Sequence, residues 1–351
     1  MTETMQLETT IRPGTASDDS IRDAFVRAHP EGTFFHLSGW RNAVQAHMGQ
    51  RPRDLLAFEG DELVGVLPLM ESRGLFGSKN LISMPYAVYG GPLGKEPEIA
   101  KALAGEAERQ ALAEGAGRVE LRCLHDPGLA WQSSELYATF IRELPTDPAD
   151  VLARMPKKSR AEARKARKKH ELTLSEGVWF LDDLIRLFHR NKRALGSPGL
   201  PVAFFRALPE VFGNDVVVHL VRRGNEPLAA VISFLYEDSL LAYYSGTADG
   251  ADRAFSASNF MYLALQEWAV ERGFRYFDFG RSRRDAGAFK FKVNQGFEAQ
   301  GLPYRYRLVK DQGLPSLTPS NPKTKILRDT WSKLPLWLTT RLSSRAARYL
   351  P

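Results

Sequence analysis

The stretch FMYLALQEWAVERGFRYFDFGRSRRDAGAFKFKVNQGFE, residues 260–298, contains a helix pattern followed by a strand pattern. The helix is amphipathic, and one face is formed by Met261, Ala264, Leu265, Trp268 and Ala269. Gly273 ends it. In the strand RYFDFG (275–280), aromatic residues alternate with Asp278. A helix that leads directly into a buried strand favours an α/β (α+β) fold, with mixed sheets flanked by helices.

The first half of the chain repeats this pattern. The helix-like EAERQALAEG (106–115) leads into the strand-like RVELRCL (118–124). Two hairpin patterns also match, EGDELVGVL (59–67) and RGNEPLAAV (223–231), because each has a glycine turn between apolar runs. The sequence therefore predicts two copies of one mixed α/β unit.

The repeat and the composition predict three regions: an N-terminal domain over 1–145, a second domain over 146–310, and a linker with a basic amphipathic tail over 311–351. Pro, Ser and Asn are concentrated in the linker at 311–322. For the second copy we expect helices near 148–168, 179–194, 202–212, 258–272 and 286–294. We expect strands near 171–176, 215–222, 228–236, 239–246, 275–279 and 302–309.

The composition is that of a soluble globular protein, with 351 residues, 43% hydrophobic and 25% charged. The single cysteine, Cys123, excludes a disulfide framework and a cysteine zinc site. The histidines are scattered, so we expect no metal site. The N-terminus has no apolar signal-peptide region, and no apolar run is long enough to span a bilayer. These features predict a cytoplasmic protein.

The net charge of +7 is concentrated in two segments. Residues 154–170 contain nine Lys/Arg and one Glu. Cations surround this predicted helix, and its candidate ligands for phosphate groups are Lys157, Lys158, Arg160 and Arg164. Because charged residues surround most of this helix, we do not expect it to pack on the rest of the protein simply through one apolar stripe. It is either a solvated helix or the contact for a phosphate-rich partner such as tRNA, a nucleotide-linked precursor or anionic lipid.

The second basic segment, 323–348, contains seven Lys/Arg and one Asp. Its apolar residues include two tryptophans, Trp331 and Trp337. Tryptophan among cations is typical of a helix that lies at a membrane interface. The segment is therefore either a peripheral membrane contact, over 323–350, or a helix that packs back onto the N-terminal half.

The strand at 275–280 ends in a polar loop, Gly-Arg-Ser-Arg-Arg-Asp. Gly280 permits a turn, after which Arg281 and Ser282 project from the carboxyl edge of the sheet, where ligands gather in α/β proteins. Arg281 is a candidate ligand for phosphate or carboxylate. The alternative is structural: Asp278 pairs with Arg281 or caps the next helix, and nothing binds.

Two lysines follow on the next predicted helix. Lys290 and Lys292 are two residues apart, so only one of them can point to a cleft. Lys292 precedes the Gly296-Phe297 turn and is the better candidate for stabilising an oxyanion; the alternative is a surface lysine. For a catalytic role we expect Lys292→Ala to reduce turnover with little change in thermal stability.

A further candidate region follows the strand that ends in YYSGT (243–247). Ser258 is expected to cap the next helix, whose free N–H groups form an anion site. Asn259, beside it, and Tyr244 are candidate substrate contacts. Tyr304 is expected to line the same cleft.

Several motifs carry a resemblance to a known family: LARMPKKSRAEARKARK, NKRALGSPGLPVAFFRAL, YYSGT and, above all, FDFGRSRRDAGAFKFKVNQGFEAQGLPYRY. In these motifs the chain resembles FemAB-related proteins associated with the PEP-CTERM/exosortase system. The likeness covers nearly the whole chain. Gln295 and Ala286 stand where that family usually has Trp and Thr.

The resemblance implies tandem GNAT-like domains and a transferase. FemABX enzymes transfer an amino acid from aminoacyl-tRNA to a cell-wall precursor, and related GNAT-like proteins use acyl-CoA, so both donors stay open. The lysine of the family's F-K pair matches Lys292, and its GRS matches Gly280, Arg281 and Ser282. A GNAT pyrophosphate signature is absent from both halves.

We therefore expect acyl or aminoacyl transfer to an amine or hydroxyl of an anionic envelope or exopolysaccharide precursor, linked to a nucleotide or a lipid. Lys292 would stabilise the oxyanion or leaving group, Asp278 would orient Arg281 or act as base, and Arg281 would bind donor or acceptor. The alternative is a non-catalytic, membrane-associated scaffold in exopolysaccharide or exosortase-linked assembly.

Overall fold

A computed structural model describes residues 8–74, 77–311, 313–314 and 322–350, with backbone only for 322–325. The N-terminal residues searched for a signal peptide lie mostly outside these ranges, and so does most of the predicted linker. The chain divides into two compact units. Unit 1 comprises 1–135, 302–316 and 348–351, and unit 2 comprises 136–301 and 317–347.

Unit 1 is built mainly from the first third of the chain. Its strands there are β1 Thr9–Pro13, β2 Arg51–Pro52, β3 Leu55–Glu59, β4 Glu62–Leu67, β5 Met70–Arg73, β6 Lys79–Ile82, β7 Leu93–Gly94, β8 Arg118–Leu121 and β9 Gln132–Ser134. Its helices are α1 Asp19–Ala28, α2 Ser38–Met48 and α3 Pro97–Glu114.

Unit 2 follows. Its strands are β10 Tyr137–Thr139, β11 Ile141–Glu143, β12 Leu172–Glu176, β13 Val216–Arg223, β14 Glu226–Tyr236, β15 Ser239–Thr247, β16 Tyr276–Asp278, β17 Ser282–Arg283 and β18 Gln300–Gly301. Its helices are α4 Pro148–Arg154, α5 Lys157–Lys168, α6 Leu181–Ala194, α7 Val202–Phe212, α8 Ala251–Phe255, α9 Ala257–Glu271 and α10 Gly287–Asn294. The chain then adds β19 Tyr304–Leu308 to unit 1, and α11 Pro322–Lys333 and α12 Leu336–Ala346 to unit 2.

The sheets of both units are mixed. Unit 1 has a four-stranded sheet, β1-β3-β4-β7, and a six-stranded sheet, β2-β5-β6-β8-β19-β9, in which β6 and β8 are parallel. Unit 2 has a six-stranded sheet, β11-β16-β15-β14-β13-β12, in which β15 and β16 are parallel, and a small sheet, β17-β10-β18. In each unit a long helix, α3 or α9, comes between the parallel strands, which is the predicted α/β (α+β) arrangement.

The two predicted hairpins are present, β3–β4 and β13–β14. Their turns begin at Gly60 and Gly224, with φ of +59° and +58°. Residues with a Cβ rarely adopt this backbone conformation. The need for glycine at both turns therefore explains why the two halves share the pattern.

The units differ in their bounds from the predicted domains. Strand β19, expected in the second copy, pairs with β8 and β9 of unit 1, with Arg305 opposite Leu121. Strand β11, placed by the 1–145 boundary in the first domain, pairs with β16 of unit 2. Local patterns predict that a strand forms but not which sheet receives it, because pairing depends on contacts distant in sequence.

The predicted basic helix at 148–168 is two helices, since the chain is extended at Met155 and Pro156. Contrary to expectation, α5 is docked by one stripe of small residues: Ser159, Ala163 and Ala166 are buried, and α5 packs against α9. Helix α9 consequently buries more than the single predicted face, including Phe260 and Leu263, because it is covered on its outer side as well.

The tail forms helices that pack on α6 of unit 2. Only the last residues, from Arg348, belong to unit 1, where the Arg348 carbonyl oxygen accepts a hydrogen bond from Gln50 Nε2 at 2.9 Å. Lys323, Lys325 and residue 351 have no described side chain. Within the described ranges, no helix has both the length and the apolarity to cross a bilayer.

Candidate active site

The carboxyl end of β16 forms a tight turn around Asp278. Its carboxylate Oδ1 accepts the Gly280 N–H at 2.6 Å, and Gly280 has a φ of +62°. Asp278 is buried, so the strand ends with a carboxylate held under the turn. This local bond explains why glycine follows the Asp-Phe pair.

Lys292 lies beneath the same turn. Its Nζ donates to three consecutive carbonyl oxygens, those of Phe279 at 2.7 Å, Gly280 at 2.9 Å and Arg281 at 3.2 Å. The side chain is only 8% exposed, whereas Lys290 on the same helix is exposed. Three acceptors require three hydrogens on one nitrogen, so this is the geometry of an ammonium group. Lys292 therefore fixes the loop that carries Arg281.

The environment of Lys292 disfavours its protonated form overall, although one neighbour favours it. Burial and the Arg281 guanidinium, opposed by the Asp278 carboxylate, together lower the pKa of Lys292 to about 7. The Nζ also lies 5.3 Å from the centroid of the Phe140 ring. A lysine near its titration point at neutral pH is unusual for a purely structural residue and is common at functional sites.

Arg281 and Ser282 follow the turn and diverge. The Arg281 guanidinium lies over the Tyr137 ring, with Cζ 4.6 Å from the centroid, and is partly exposed. Ser282 is buried in β17, where it is opposite Ala138 of β10. Arg281 is thus held on an aromatic platform where it can still meet a ligand.

The two tyrosines predicted to line one cleft lie in different units. Tyr244, on β15, packs among aromatic rings from α6 and α7, with ring centroids 5.8 Å from Phe188 and 5.4 Å from Phe205. Tyr304 belongs to unit 1 and is fully buried in β19, where its hydroxyl donates to the Val88 carbonyl oxygen. Tyr304 is a core residue of unit 1.

Asn259, near the start of α9, is joined to Gln295. Asn259 Oδ1 accepts from Gln295 Nε2 at 2.7 Å. Gln295 is buried, and its Oε1 has no hydrogen-bond partner within the described part of the chain. This pair links α9 to the turn after α10. Ala286, the other position where the sequence differs from the family's usual residue, directly precedes α10.

The predicted anion site at the start of α9 is already filled. Ser256, at φ +56°, stands at the N-cap position instead of Ser258, and its side chain makes no capping hydrogen bond. Ser258 donates through its backbone N–H and its Oγ to the Asp252 carboxylate, at 2.7 and 2.9 Å. A cavity of about 440 Å³ beside it has three charged lining residues, Asp249, Asp252 and Arg253. Two carboxylates here fit a pyrophosphate group poorly, because they repel it and one occupies the helix terminus.

The four cations proposed on α5 lie in its first two turns. Lys157, Lys158 and Arg164 are exposed, and Arg160 is partly buried. Among the described residues none of the four forms an ion pair, whereas Arg167 at the other end of α5 pairs with Glu267. The exposed face of α5 is therefore an uncompensated positive surface.

Two structural features of the site escaped the sequence. Tyr137 supports Arg281 although it is distant in sequence, and no local pattern marks it. Gly246, in the YYSGT motif, is required by packing, since a Cβ there would lie 2.4 Å from backbone atoms of Leu187 and Phe188. The glycine in the motif was a signal for this close approach of α6 to β15. The described residues contain no group of three or more potential metal ligands.

Comparisons with known proteins bear on the fold of the chain. Residues 153–293 match the family described as an acetyltransferase (GNAT) domain, and this range includes Asp278, Arg281 and Lys292. No curated protein gives a significant match to the sequence.

Solved structures extend the likeness to both units. The crystal structure of FemX is similar over 91% of this chain and 100% of that chain, with a TM-score of 0.63 and 14% identity. A tandem GNAT protein from the clavulanic acid biosynthesis pathway is similar over 88% and 100%, with a TM-score of 0.54 and 12% identity. The C-terminal domain of a putative lysylphosphatidylglycerol synthetase from Agrobacterium fabrum covers 83% and 92%, with a TM-score of 0.51 and 12% identity. The chain accordingly has the fold of tandem GNAT-like acyltransferases, and the matched GNAT domain lies in unit 2.

Proposed function

We propose that this protein transfers an acyl or aminoacyl group to an amine or hydroxyl of a cell-envelope or exopolysaccharide precursor, using the carboxyl end of β16. The observation that carries the proposal is the turn at 278–281, in which a buried carboxylate and a buried ammonium hold an arginine at the strand end. A turn stabilised by buried charges is expensive as a purely structural device.

In the proposed reaction the acceptor nitrogen or oxygen attacks the donor carbonyl carbon. A tetrahedral intermediate forms, and it collapses as the bond to the leaving group breaks. Asp278 takes the proton from the acceptor or orients Arg281, and Arg281 binds an anionic group of donor or acceptor. Lys292 stabilises the developing negative charge and holds the loop in position. Such catalysis is chiefly positioning and electrostatic stabilisation.

The donor is an acyl-CoA or an aminoacyl-tRNA. The GNAT domain favours acyl-CoA. The carboxylates of Asp249 and Asp252 beside the start of α9 disfavour the pyrophosphate of CoA at that position. The positive face of α5 favours a polyanionic substrate such as tRNA. The decisive experiment therefore compares transfer from the two donors.

The acceptor is proposed to be an anionic precursor, linked to a nucleotide or a lipid. The likeness to FemX supports a peptidoglycan precursor. The motif resemblance supports a role in exopolysaccharide synthesis linked to the PEP-CTERM/exosortase system. A cytoplasmic protein at the inner face of the membrane, in peripheral contact through 323–350, would meet such precursors.

The test is a transfer assay with radiolabelled acyl-CoAs and aminoacyl-tRNAs against nucleotide-linked and lipid-linked envelope precursors. We expect label to move to one acceptor class from one donor class. Mass spectrometry of co-purifying ligands narrows the choice beforehand. Precursor binding without transfer from either donor would contradict the proposal and support the scaffold alternative.

A further inference from the structure

The end of α6 and the two tail helices carry large apolar side chains on the surface of unit 2. Leu195, just after α6, is joined by Ile326 and Leu327 on α11 and Trp337 on α12, and all four are between 64% and 74% exposed. We name these four residues the apolar tail surface. Single exposed apolar residues are ordinary, but four on adjoining segments are not.

These segments are fixed against one another. A Cβ on Gly196 would lie 2.6 Å from the Arg328 carbonyl oxygen, so the residues next to them, Leu195 and Leu327, belong to adjoining backbone. Buried Ser343 on α12 accepts the Gly199 N–H on its Oγ at 3.0 Å. The tail helices are therefore docked on α6, with Thr339 and Ser343 buried and with Ile326, Leu327 and Trp337 exposed.

The charge around this surface is positive. Residues 326–347 contain four Lys/Arg and a single acidic residue, Asp329. Lys333, Arg341 and Arg345 are exposed, and within the described part of the chain none of them forms an ion pair. Such a surface is complementary to an anionic bilayer. The apolar side chains suit the acyl-chain boundary, and the flanking cations suit the anionic headgroups.

We propose that the apolar tail surface binds the surface of an anionic membrane. It inserts Leu195, Ile326, Leu327 and Trp337 to the level of the headgroups, while Lys333, Arg341 and Arg345 meet lipid phosphates. The binding requires neither donor nor acceptor, so it stands or fails independently of the acyl transfer. Because α11 and α12 are docked on α6, they hold unit 2 at the membrane in one orientation.

The experiment is flotation of the full-length protein with vesicles of phosphatidylcholine alone or of an equal mixture with phosphatidylglycerol. Wild type should float with the anionic vesicles. Ile326→Ser/Leu327→Ser and Trp337→Ser should each lower the bound fraction, the double variant by about tenfold. Lys333→Gln/Arg341→Gln/Arg345→Gln should abolish the preference for phosphatidylglycerol. Circular dichroism verifies that each variant is folded.

The matched control is Trp179→Ser. Trp179 is 75% exposed but lies before α6, at the end opposite to Leu195, so its replacement should leave binding unchanged. Equal losses in Trp179→Ser and Trp337→Ser would overturn the proposal. So would a wild type that fails to float. If wild type sediments as a dimer and the tail variants sediment as monomers, the proposal is wrong and the surface binds a second copy of the chain.

Discussion

Two cationic regions of unit 2 differ in how their charges are balanced. Lys292 is buried, and its ammonium donates to three backbone carbonyls. Lys157, Lys158 and Arg164 on α5 are exposed, and among the described residues they form no ion pair. The first arrangement fixes a loop geometry, while the second leaves charge free to act at a distance.

The comparison separates two contributions to function. A buried charge has strong, short-range interactions, so its removal changes both the loop and the reaction there. Exposed charges interact weakly with any one group and are screened by salt, but several together attract a polyanion. Variants in the first region should therefore act on turnover and stability, and variants in the second on affinity.

The largest effect is expected for Lys292→Ala. Transfer should fall about 100-fold or more, because the variant removes the charge that we propose stabilises the oxyanion and that holds the loop carrying Arg281. The sequence-based expectation of unchanged stability does not fit the structure, since three carbonyls lose their donor, and we expect a loss of about 3 kcal/mol. Kinetics and urea unfolding measure both. Lys290→Ala, two residues away and exposed, is the control and should change neither.

Asp278→Asn should come next. If Asp278 is the base, kcat should fall about 100-fold. The Asn oxygen can still accept the Gly280 N–H, but the variant removes the carboxylate that favours the buried Lys292 ammonium, so stability should fall as well. Asp285→Asn, at an exposed aspartate of the same loop that pairs with Arg283, serves as the control. An unaltered kcat in Asp278→Asn would leave Asp278 as a turn residue only.

The dependence of stability on pH tests the charge state of Lys292. Its folded pKa is lowered from 10.5 to about 7, so above pH 7 the unfolded chain holds a proton that the folded protein releases. The free energy of unfolding of wild type, relative to Lys292→Met, should therefore rise between pH 7 and pH 10, by up to about 1.4 kcal/mol per pH unit. Urea titrations at several pH values measure it. A constant difference would mean that the three carbonyls hold the ammonium throughout this range.

The smallest effect on turnover is expected from Lys157→Gln/Lys158→Gln/Arg164→Gln. This variant should bind tRNA more weakly, and the slope of log affinity against log salt should decrease by about 2. Its stability should match wild type. Arg167→Gln, whose native charge is paired with Glu267, should change the slope less. Equal slopes for wild type and the triple variant would remove α5 from the polyanion contact.

Much of unit 2 could be predicted from local pattern. The strands at 216–223, 226–236 and 239–247 follow from apolar runs separated by turn residues, and their ends were expected to within two residues. The burial of Lys292 and exposure of Lys290 agree with helical spacing, which puts the two side chains on different faces. The break between α4 and α5 could also have been predicted, because Pro156 disfavours a helical conformation of the residue before it.

The sequence alone determined the elements, the repeat of the α/β unit and the strand end that carries Asp278 and Arg281, because periodicity and turn chemistry act between near neighbours. Only the tertiary structure decided that β19 joins unit 1, that Asp252 fills the start of α9, that Tyr137 supports Arg281, and that the Lys292 ammonium meets three carbonyls. Those outcomes depend on which distant groups meet and on which polar atoms are left to be satisfied after packing, and neither quantity is encoded in a local pattern.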